Sequence, residues 1–384
     1  MFDAGVLLLA AVPALIWIHA LVTVPLQARR LVRIGQLPLP AISLPRLSVV
    51  IAARNEAVKI EAALTSLVCE DYPDYEIVVV NDRSTDTTGD ILDRMAVAHQ
   101  QLRVIHVREL PAGWLGKNHA LQKGLEAATG EFVLFTDADV HFKAGTLRRT
   151  AGYLLDNGLD HVASLPQLVN TAASMRLVLP AFSVFFLQIT QPWKARDAKS
   201  RRHIGVGAFN LVRRSTLIAL GGFERIRLRP DDDLMLAKML KTAGHRADFL
   251  LSDGQISVEW YRTAGETIRG LEKNSFAHFD YRPAVTVLTM LATLYLVYMP
   301  LAGCLLLPAA AGWLSLAGTV AMLLFAIIVT RMIHLPAGWG LLFPVGSLLI
   351  VYATLRSMFV TLRQGGIVWR DTFYSLRELR SNRS

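Results

Sequence analysis

Three kinds of hydrophobic pattern follow one another along this chain. From Gly5 to Leu26 no Asp, Glu, Lys or Arg occurs, a run long enough to cross a bilayer as a helix. Arg29, Arg30 and Arg33 come after it. A secretory signal carries its charge first and its cleavage site last, so the reversed order predicts a retained transmembrane helix over residues 1–28, with the chain beyond it in the cytoplasm. A buried core helix is the other reading of this run. Between Leu47 and about Phe279 short β-rich stretches alternate with helical ones, the pattern of a mainly parallel sheet wrapped by helices. Leu47–Ala53, Tyr75–Val80, Leu102–Val107 and Glu131–Thr136 read as strands. Asn55 reads as the N-cap of a helix reaching about Val68, and Gly89–Ala98, Asn118–Ala128 and Leu234–Ala243 read as further helices.

The third pattern is apolar again. Ala284 to Thr330 is uncharged throughout, and at about 1.5 Å per residue it reaches roughly 70 Å, enough for two crossings that turn at Pro308 and Ala309–Gly312. Another apolar run, Leu335–Leu355, is interrupted by Pro336, Pro344 and Gly346. Three full crossings would carry Arg363, Arg370, Arg377, Arg380 and Arg383 out of the cytoplasm, against the positive-inside rule. The broken third run is therefore expected to be re-entrant or interfacial. Met175–Trp193 is apolar and rich in Phe, contains Arg176 and Pro180, and is followed by Lys194, Arg196, Lys199, Arg201 and Arg202. It fits a helix lying in the head-group layer, close to a lipid hydroxyl; an internal core helix fits it as well. The expected organisation is a transmembrane helix over 1–28 and an α/β domain over 45–280 with its interfacial helix near 175–193. A membrane region of two to three segments over 284–361 and a basic cytoplasmic tail over 362–384 complete it.

Composition supports the same division. Hydrophobic residues make up 53% of the 384 and charged residues only 18%, where a soluble domain carries nearer a quarter, so part of the chain should meet lipid. The net charge of +9 suits anionic lipid head groups, phosphorylated substrates or nucleic acid. No zinc-finger spacing or RNA-binding signature supports nucleic acid. Cys69 and Cys304 lie far apart and give no basis for a disulfide or a metal site.

Parallel sheets bind ligands outside the carboxyl ends of their strands, and the candidate chemistry lies there. Asp82 ends the second strand, placed to accept from a base or ribose, although Asp82 and Asp86 also suit helix capping. Thr136-Asp137-Ala138-Asp139 closes the fourth strand; two carboxylates one residue apart suit a hard divalent cation bridging a diphosphate. Asp231-Asp232-Asp233 begins a helical run. Three adjacent carboxylates repel one another unless a cation compensates or one stays protonated, and a base that deprotonates an acceptor hydroxyl is one use for them. Gly205-Val206-Gly207-Ala208-Phe209-Asn210 reads as a tight acceptor-side strand that lets backbone approach substrate. Trp114 suits stacking on a ring or core packing, and His141, His161 and His203 show no ligand spacing.

Taken in order, Ala53-Arg54-Asn55-Glu56, Val80-Asn81-Asp82-Arg83-Ser84-Thr85-Asp86, Gly116-Lys117-Asn118-His119-Ala120-Leu121, Thr136-Asp137-Ala138-Asp139 and Asp232-Asp233 resemble the family 2 glycosyltransferases of the GT-A fold. The likeness is greatest to the membrane-bound branch with ceramide glucosyltransferase and the hopanoid-associated and carotenoid glycosyltransferases. It implies a Rossmann-like GT-A domain with transmembrane helices at both ends, and inverting transfer from a UDP- or GDP-linked sugar to a lipid hydroxyl or polyprenyl phosphate. It further implies Mg2+ or Mn2+ and an enzyme of the inner (cytoplasmic) membrane. By position, Asp82 binds the nucleotide, Arg54, Asn55 and Glu56 line its pocket, and Lys117 lies near the phosphates. Asp137 and Asp139 hold the metal and diphosphate, and Asp233, paired with Asp232, is the catalytic base. The family's Glu is here Asp232, and no Gln-x-x-Arg-Trp occurs, which argues against a processive polysaccharide synthase. Arg262 or Lys273 is expected to supply the missing positive charge at the leaving diphosphate; a solvated helix face is the alternative. A nucleotidyl- or phosphoglycosyl-transferase, or a non-catalytic scaffold or transporter with a degenerate domain, are the other functions weighed.

Overall fold

The computed structural model describes every residue except 1–3, 170–171, 260–262, 264, 267–269, 271–274, 370–371 and 382–384. The chain forms two compact units. One is built from Leu31–Asn170, Pro192–Trp260 and Ser381–Ser384, the other from Met1–Arg30, Thr171–Gln191 and Tyr261–Arg380.

The first unit is a sheet protein. Its strands are β1 (Val32–Arg33), β2 (Leu47–Ala53), β3 (Tyr75–Asp82), β4 (Leu102–Val107), β5 (Phe132–Asp137), β6 (Val140–Phe142), β7 (His161–Leu165), β8 (Gln167–Leu168), β9 (Asn210–Arg213), β10 (Ala247–Leu251) and β11 (Ile256–Val258). Eight of them form one sheet in the order β1-β10-β7-β9-β5-β2-β3-β4, and β6-β11-β8 form a small second sheet. Successive side chains of a strand point to opposite faces, and both faces here are covered. Val49, Ile51, Ile77, Val79 and Leu134 pack on one side with Leu64 and Leu92. Val50, Val78, Val80, Val133 and Phe135 pack on the other with Leu121, Leu125 and Leu236. Two covered faces explain why β2 and β3 read as unbroken apolar runs rather than alternating ones.

One strand departs from the parallel pattern. β9 runs antiparallel to both β5 and β7, with Asn210 opposite Phe135 and Ala163. An antiparallel strand enters where its neighbours leave, so residues just before Asn210 arrive at the carboxyl ends of β5 and β7. Gly205–Asn210 is therefore not itself a strand: β9 begins only at Asn210, and the glycines form the turn leading into it. Asn55 is likewise no N-cap. It adopts φ +55°, its Oδ1 accepts from the Thr85 amide at 2.8 Å, and the helix begins at Ile60 after Lys59. A side chain bonded to another loop cannot also serve a helix end.

The second unit holds the long apolar helices. Among the described residues, five stretches are long and apolar enough to cross a membrane: Ala4–Ala28, Ala173–Lys194, Pro283–Leu306, Ala310–Met332 and Ala337–Gln364. The second cannot make a lone crossing, because β7 before it and β9 after it are hydrogen-bonded neighbours in one sheet. Helices Pro283–Leu306 and Ala309–Met332 are joined at Leu307-Pro308, where the turn was predicted. The third run turns back. After Met332 the chain climbs until the Gly340 backbone meets Ile327, and Pro344 accepts from the Tyr298 hydroxyl at 2.7 Å. Helix Phe343–Gln364 then descends beside Pro283–Leu306, so that Ser357 accepts from the Phe276 amide at 3.2 Å. Beyond it Arg380 donates to the Tyr281 carbonyl at 2.8 Å. The segment after Met332 thus ends at the level where the first of the three helices begins. The hairpin of β12 (Gly366–Trp369) and β13 (Thr372–Ser375) follows it.

Candidate active site

The loop after β3 is laced to the segment after β2. The Asn55 amide donates to Ser84 Oγ at 3.0 Å, the Glu56 amide to Thr88 Oγ1 at 2.9 Å and the Ala57 amide to Asp86 Oδ2 at 3.3 Å. Asp82, only 3% exposed, is gripped by its neighbour Arg83 through Nε at 2.7 Å and Nη2 at 3.0 Å. This carboxylate lies against the start of helix Gly116–Ala127, where a Cβ on residue 116 would overlap both Asp82 and the Arg83 guanidinium. Gly116 is the residue that leaves room for them. Trp114, beside it, packs edge-on to His119 with ring centres 5.6 Å apart and lies against the core.

Lys117 turns the next corner. Its ammonium lies 3.0 Å from Asp137 Oδ1 and 3.4 Å from Asp232 Oδ2. One residue on, buried Asn118 donates to the carbonyls of Ile226 and Arg229, both at 2.8 Å, and so fixes the loop that carries the acidic triplet. The three carboxylates then diverge. Asp231 takes the buried Arg229 guanidinium through two bonds of 2.8 Å. Asp232 faces Lys117. Asp233 accepts from the Gly207 amide at 2.7 Å and from the Leu234 amide at 2.8 Å. Separate partners relieve the repulsion that the sequence alone presents. Asp137 and Asp233 line one small cavity together with Lys117, Gly207, Asn210 and Asp232. Four of the predicted site residues, Lys117, Asp137, Asp232 and Asp233, thus line one cavity.

Burial sets the electrostatics. Burial raises the Asp233 carboxyl above its ordinary range, outweighing Lys117. The same burial, opposed by Lys117, raises Asp232 to about 7. Burial would lower Lys117, but the carboxylates of Asp137, Asp232 and Asp233 overcome it and hold the ammonium charged well above its usual range. The cluster sets a charged lysine beside two carboxyls, Asp232 and Asp233, that burial makes reluctant to ionise.

Asp139 is placed differently from Asp137. It pairs with Lys59 at 3.0 Å, and Lys59 also donates to the Glu259 carbonyl at 2.9 Å. Among the described residues no group of three or more His, Cys, Asp and Glu gathers as a metal site. The two carboxylates nonetheless fit a hard divalent cation, because oxygen donors suit Mg2+ and Mn2+ and a diphosphate would complete the set. Arg262 and Lys273 lie outside the described residues. Lys59 and Arg229 carry no signal in the sequence as supports, and Asn118 stands out there only as part of the Gly116–Leu121 motif. The glycine turn was visible as a place of close backbone approach, but its partner Asp233 was not.

Residues 48–220 match the family model Glycosyl transferase family 2. The probable glycosyltransferase YdaM of Bacillus subtilis is 28% identical over 199 residues, covering 50% of this chain and 46% of its own. The beta-monoglucosyldiacylglycerol synthase of a Synechocystis species is 30% identical over 202 residues, covering 50% of this chain and 40% of its own. The chain thus spans less than half the length of these relatives. Among solved structures, the mannosyltransferase PcManGT from Pyrobaculum calidifontis, in complex with GDP-Man and Mn2+, aligns with a TM-score of 0.53 at 22% identity over 90% of this chain and 99% of its own. That likeness concerns the fold.

Proposed function

Since this chain belongs to glycosyl transferase family 2 through residues 48–220, we propose that it is a membrane-bound, inverting, non-processive enzyme that moves one sugar from a UDP- or GDP-linked donor to a lipid hydroxyl or a polyprenyl phosphate. Asp233 takes the proton of the acceptor hydroxyl as that oxygen attacks the anomeric carbon, and the bond from that carbon to the diphosphate breaks. Its raised proton affinity makes Asp233 a stronger base than an ordinary carboxylate. Lys117 meets the charge that develops on the departing nucleoside diphosphate, where a half-buried ammonium is less screened than in bulk water. Asp82 binds the nucleotide, with Arg54, Asn55 and Glu56 along its pocket and Asp232 beside the base. Asp137 and Asp139 would hold a divalent cation, which supplies neutralising charge to the diphosphate when bound.

The observation that carries this reading is the convergence of Asp137, Lys117 and Asp233, remote in sequence, on one cavity. A lipid acceptor is supported by the apolar helices and by the diacylglycerol-based activity in the name of the Synechocystis relative. The lack of Gln-x-x-Arg-Trp supports single transfer over chain extension. The test is release of nucleoside diphosphate by the purified protein in nanodiscs. UDP-glucose, UDP-N-acetylglucosamine and GDP-mannose are each supplied with Mg2+ or Mn2+ and a bacterial lipid extract. Lipid-dependent release giving a singly glycosylated lipid is expected; no release from any donor would end the proposal.

A further inference from the structure

One buried arrangement beside the cavity has no part in the transfer described above. His161 and Asn210 are 0% and 2% exposed and stand on adjacent strands β7 and β9. Asn210 Oδ1 accepts from His161 Nε2 at 3.0 Å and from the Val206 amide at 3.3 Å, while Nδ2 donates to the Val206 carbonyl at 2.9 Å. These bonds fix the orientation of the Asn210 amide and put the imidazole proton on Nε2. Burial lowers His161 to about 4, so the ring is neutral at physiological pH.

The Val206 peptide held in this way opens the turn Val206–Phe209, closed by the Phe209 amide on the Val206 carbonyl at 2.9 Å. Thr136 Oγ1 ties its far side through the Ala208 carbonyl at 2.7 Å. Between these two anchors the Gly207 amide points at Asp233. A Cβ at 207 would come within 2.8 Å of Asp137 Oδ2 and push that carboxylate aside, and the glycine that leaves it in place has, unsupported, the greatest conformational freedom to lose. We propose that Asn210, locked by His161, is a positioning residue that keeps the Gly207 amide on the Asp233 carboxylate and so aims the base at the acceptor hydroxyl. This role rests on Asp233 being the base.

The test uses the full-length protein in nanodiscs with whichever of the three donors turns over. Asn210→Ala and His161→Leu are each expected to lower kcat about 10- to 100-fold, the scale of a misplaced catalytic group, with donor KM changed less than about threefold because the donor contacts are untouched. His161→Gln, whose side-chain amide can donate to Asn210, is expected to recover most of the kcat lost in His161→Leu. Hydrogen exchange at the Gly207 amide, which needs no turnover, should quicken in Asn210→Ala and His161→Leu and return toward the parent rate in His161→Gln. If Asn210→Ala does not accumulate folded, the two His161 variants make the same comparison. Unchanged Gly207 exchange, or kcat and KM failing together without rescue, overturns the role. Full activity in Asp233→Asn removes the base and this role with it, whereas an inactive Asp233→Asn together with unchanged Gly207 exchange in Asn210→Ala and His161→Leu removes this role alone.

Discussion

At the scale of single residues, the site is a balance between one lysine and carboxylates that burial discourages from ionising. Asp233→Asn keeps the shape but can hold only one of the two backbone amides, since its amide nitrogen does not accept, and it cannot take a proton. It should lower kcat by about 10²- to 10⁴-fold while leaving nucleotide affinity, measured by calorimetry, nearly unchanged. Because the Asp233 carboxyl is raised above its ordinary range, the acid limb of the kcat/KM profile should lie above that of a free carboxylate; a limb near pH 4 or below would contradict the assignment. Stability follows the same sign. A carboxyl that is raised in the folded state binds more protons there than in the unfolded chain, so ionising it costs stability. For Asp232, raised to about 7, the cost accrues as pH rises from about 4, the unfolded value, to about 7 and is constant beyond. Asp232→Asn should therefore flatten the fall in Tm across that window, read by thermal melts at several pH values.

Between residues and the whole lie the elements, and here the helix Gly116–Ala127 organises most of the site. Its first three residues each do something different: Gly116 makes room for Asp82, Lys117 enters the acidic cluster, and Asn118 ties down the loop before the triplet. Asn118→Ala removes two bonds to loop carbonyls, of which that of Ile226 keeps the Arg229 amide, a loss of about 1–3 kcal/mol, which a denaturant midpoint would register; no change would mean the loop is held elsewhere. Gly116→Ala should weaken nucleotide binding with little effect on folding of the sheet, since its Cβ collides with side chains and not with the core. These elements were largely legible beforehand. Leu47–Ala53 is found with the bounds predicted for it because a strand covered on both faces leaves an uninterrupted apolar run, and the edge strand Leu102–Val107 is found with its predicted bounds although it is partly exposed. What failed was local chemistry shared between loops. Asn55 has the residue type of an N-cap, yet it serves Thr85, a partner that sequence distance conceals. The glycine turn before Asn210 looked like a strand because its real role, entry into an antiparallel strand, depends on a neighbour far away in the chain.

For the molecule as a whole, the open matter is sidedness. β7 and β9 flank the apolar helix Ala173–Thr190 in sequence and yet share a ladder, so residues on either side of that helix must occupy one face of the membrane. In a Cys69→Ser, Cys304→Ser background, single cysteines at position 69 and at Lys199 should react with an impermeant maleimide from the same side of sealed vesicles. Opposite sidedness would break the sheet. The return of helix Phe343–Gln364 past the start of Pro283–Leu306 predicts that a reporter fused after Ser384 reads on the same side of the membrane as one placed just before Pro283; opposite signals would make the third run a true crossing.

The sequence by itself determined the layers: uncharged runs of membrane length, apolar strands in an α/β rhythm, and acidic residues at strand ends, because each is a property of neighbours in the chain. Tertiary structure alone decided which carboxylate faces which cation, that Asp137 and Asp233 share a cavity while Asp139 turns to Lys59, and that a neutral histidine braces the turn beside them. Those outcomes depend on sheet order and on one antiparallel strand, which bring together groups whose separation along the backbone carries no trace of their meeting.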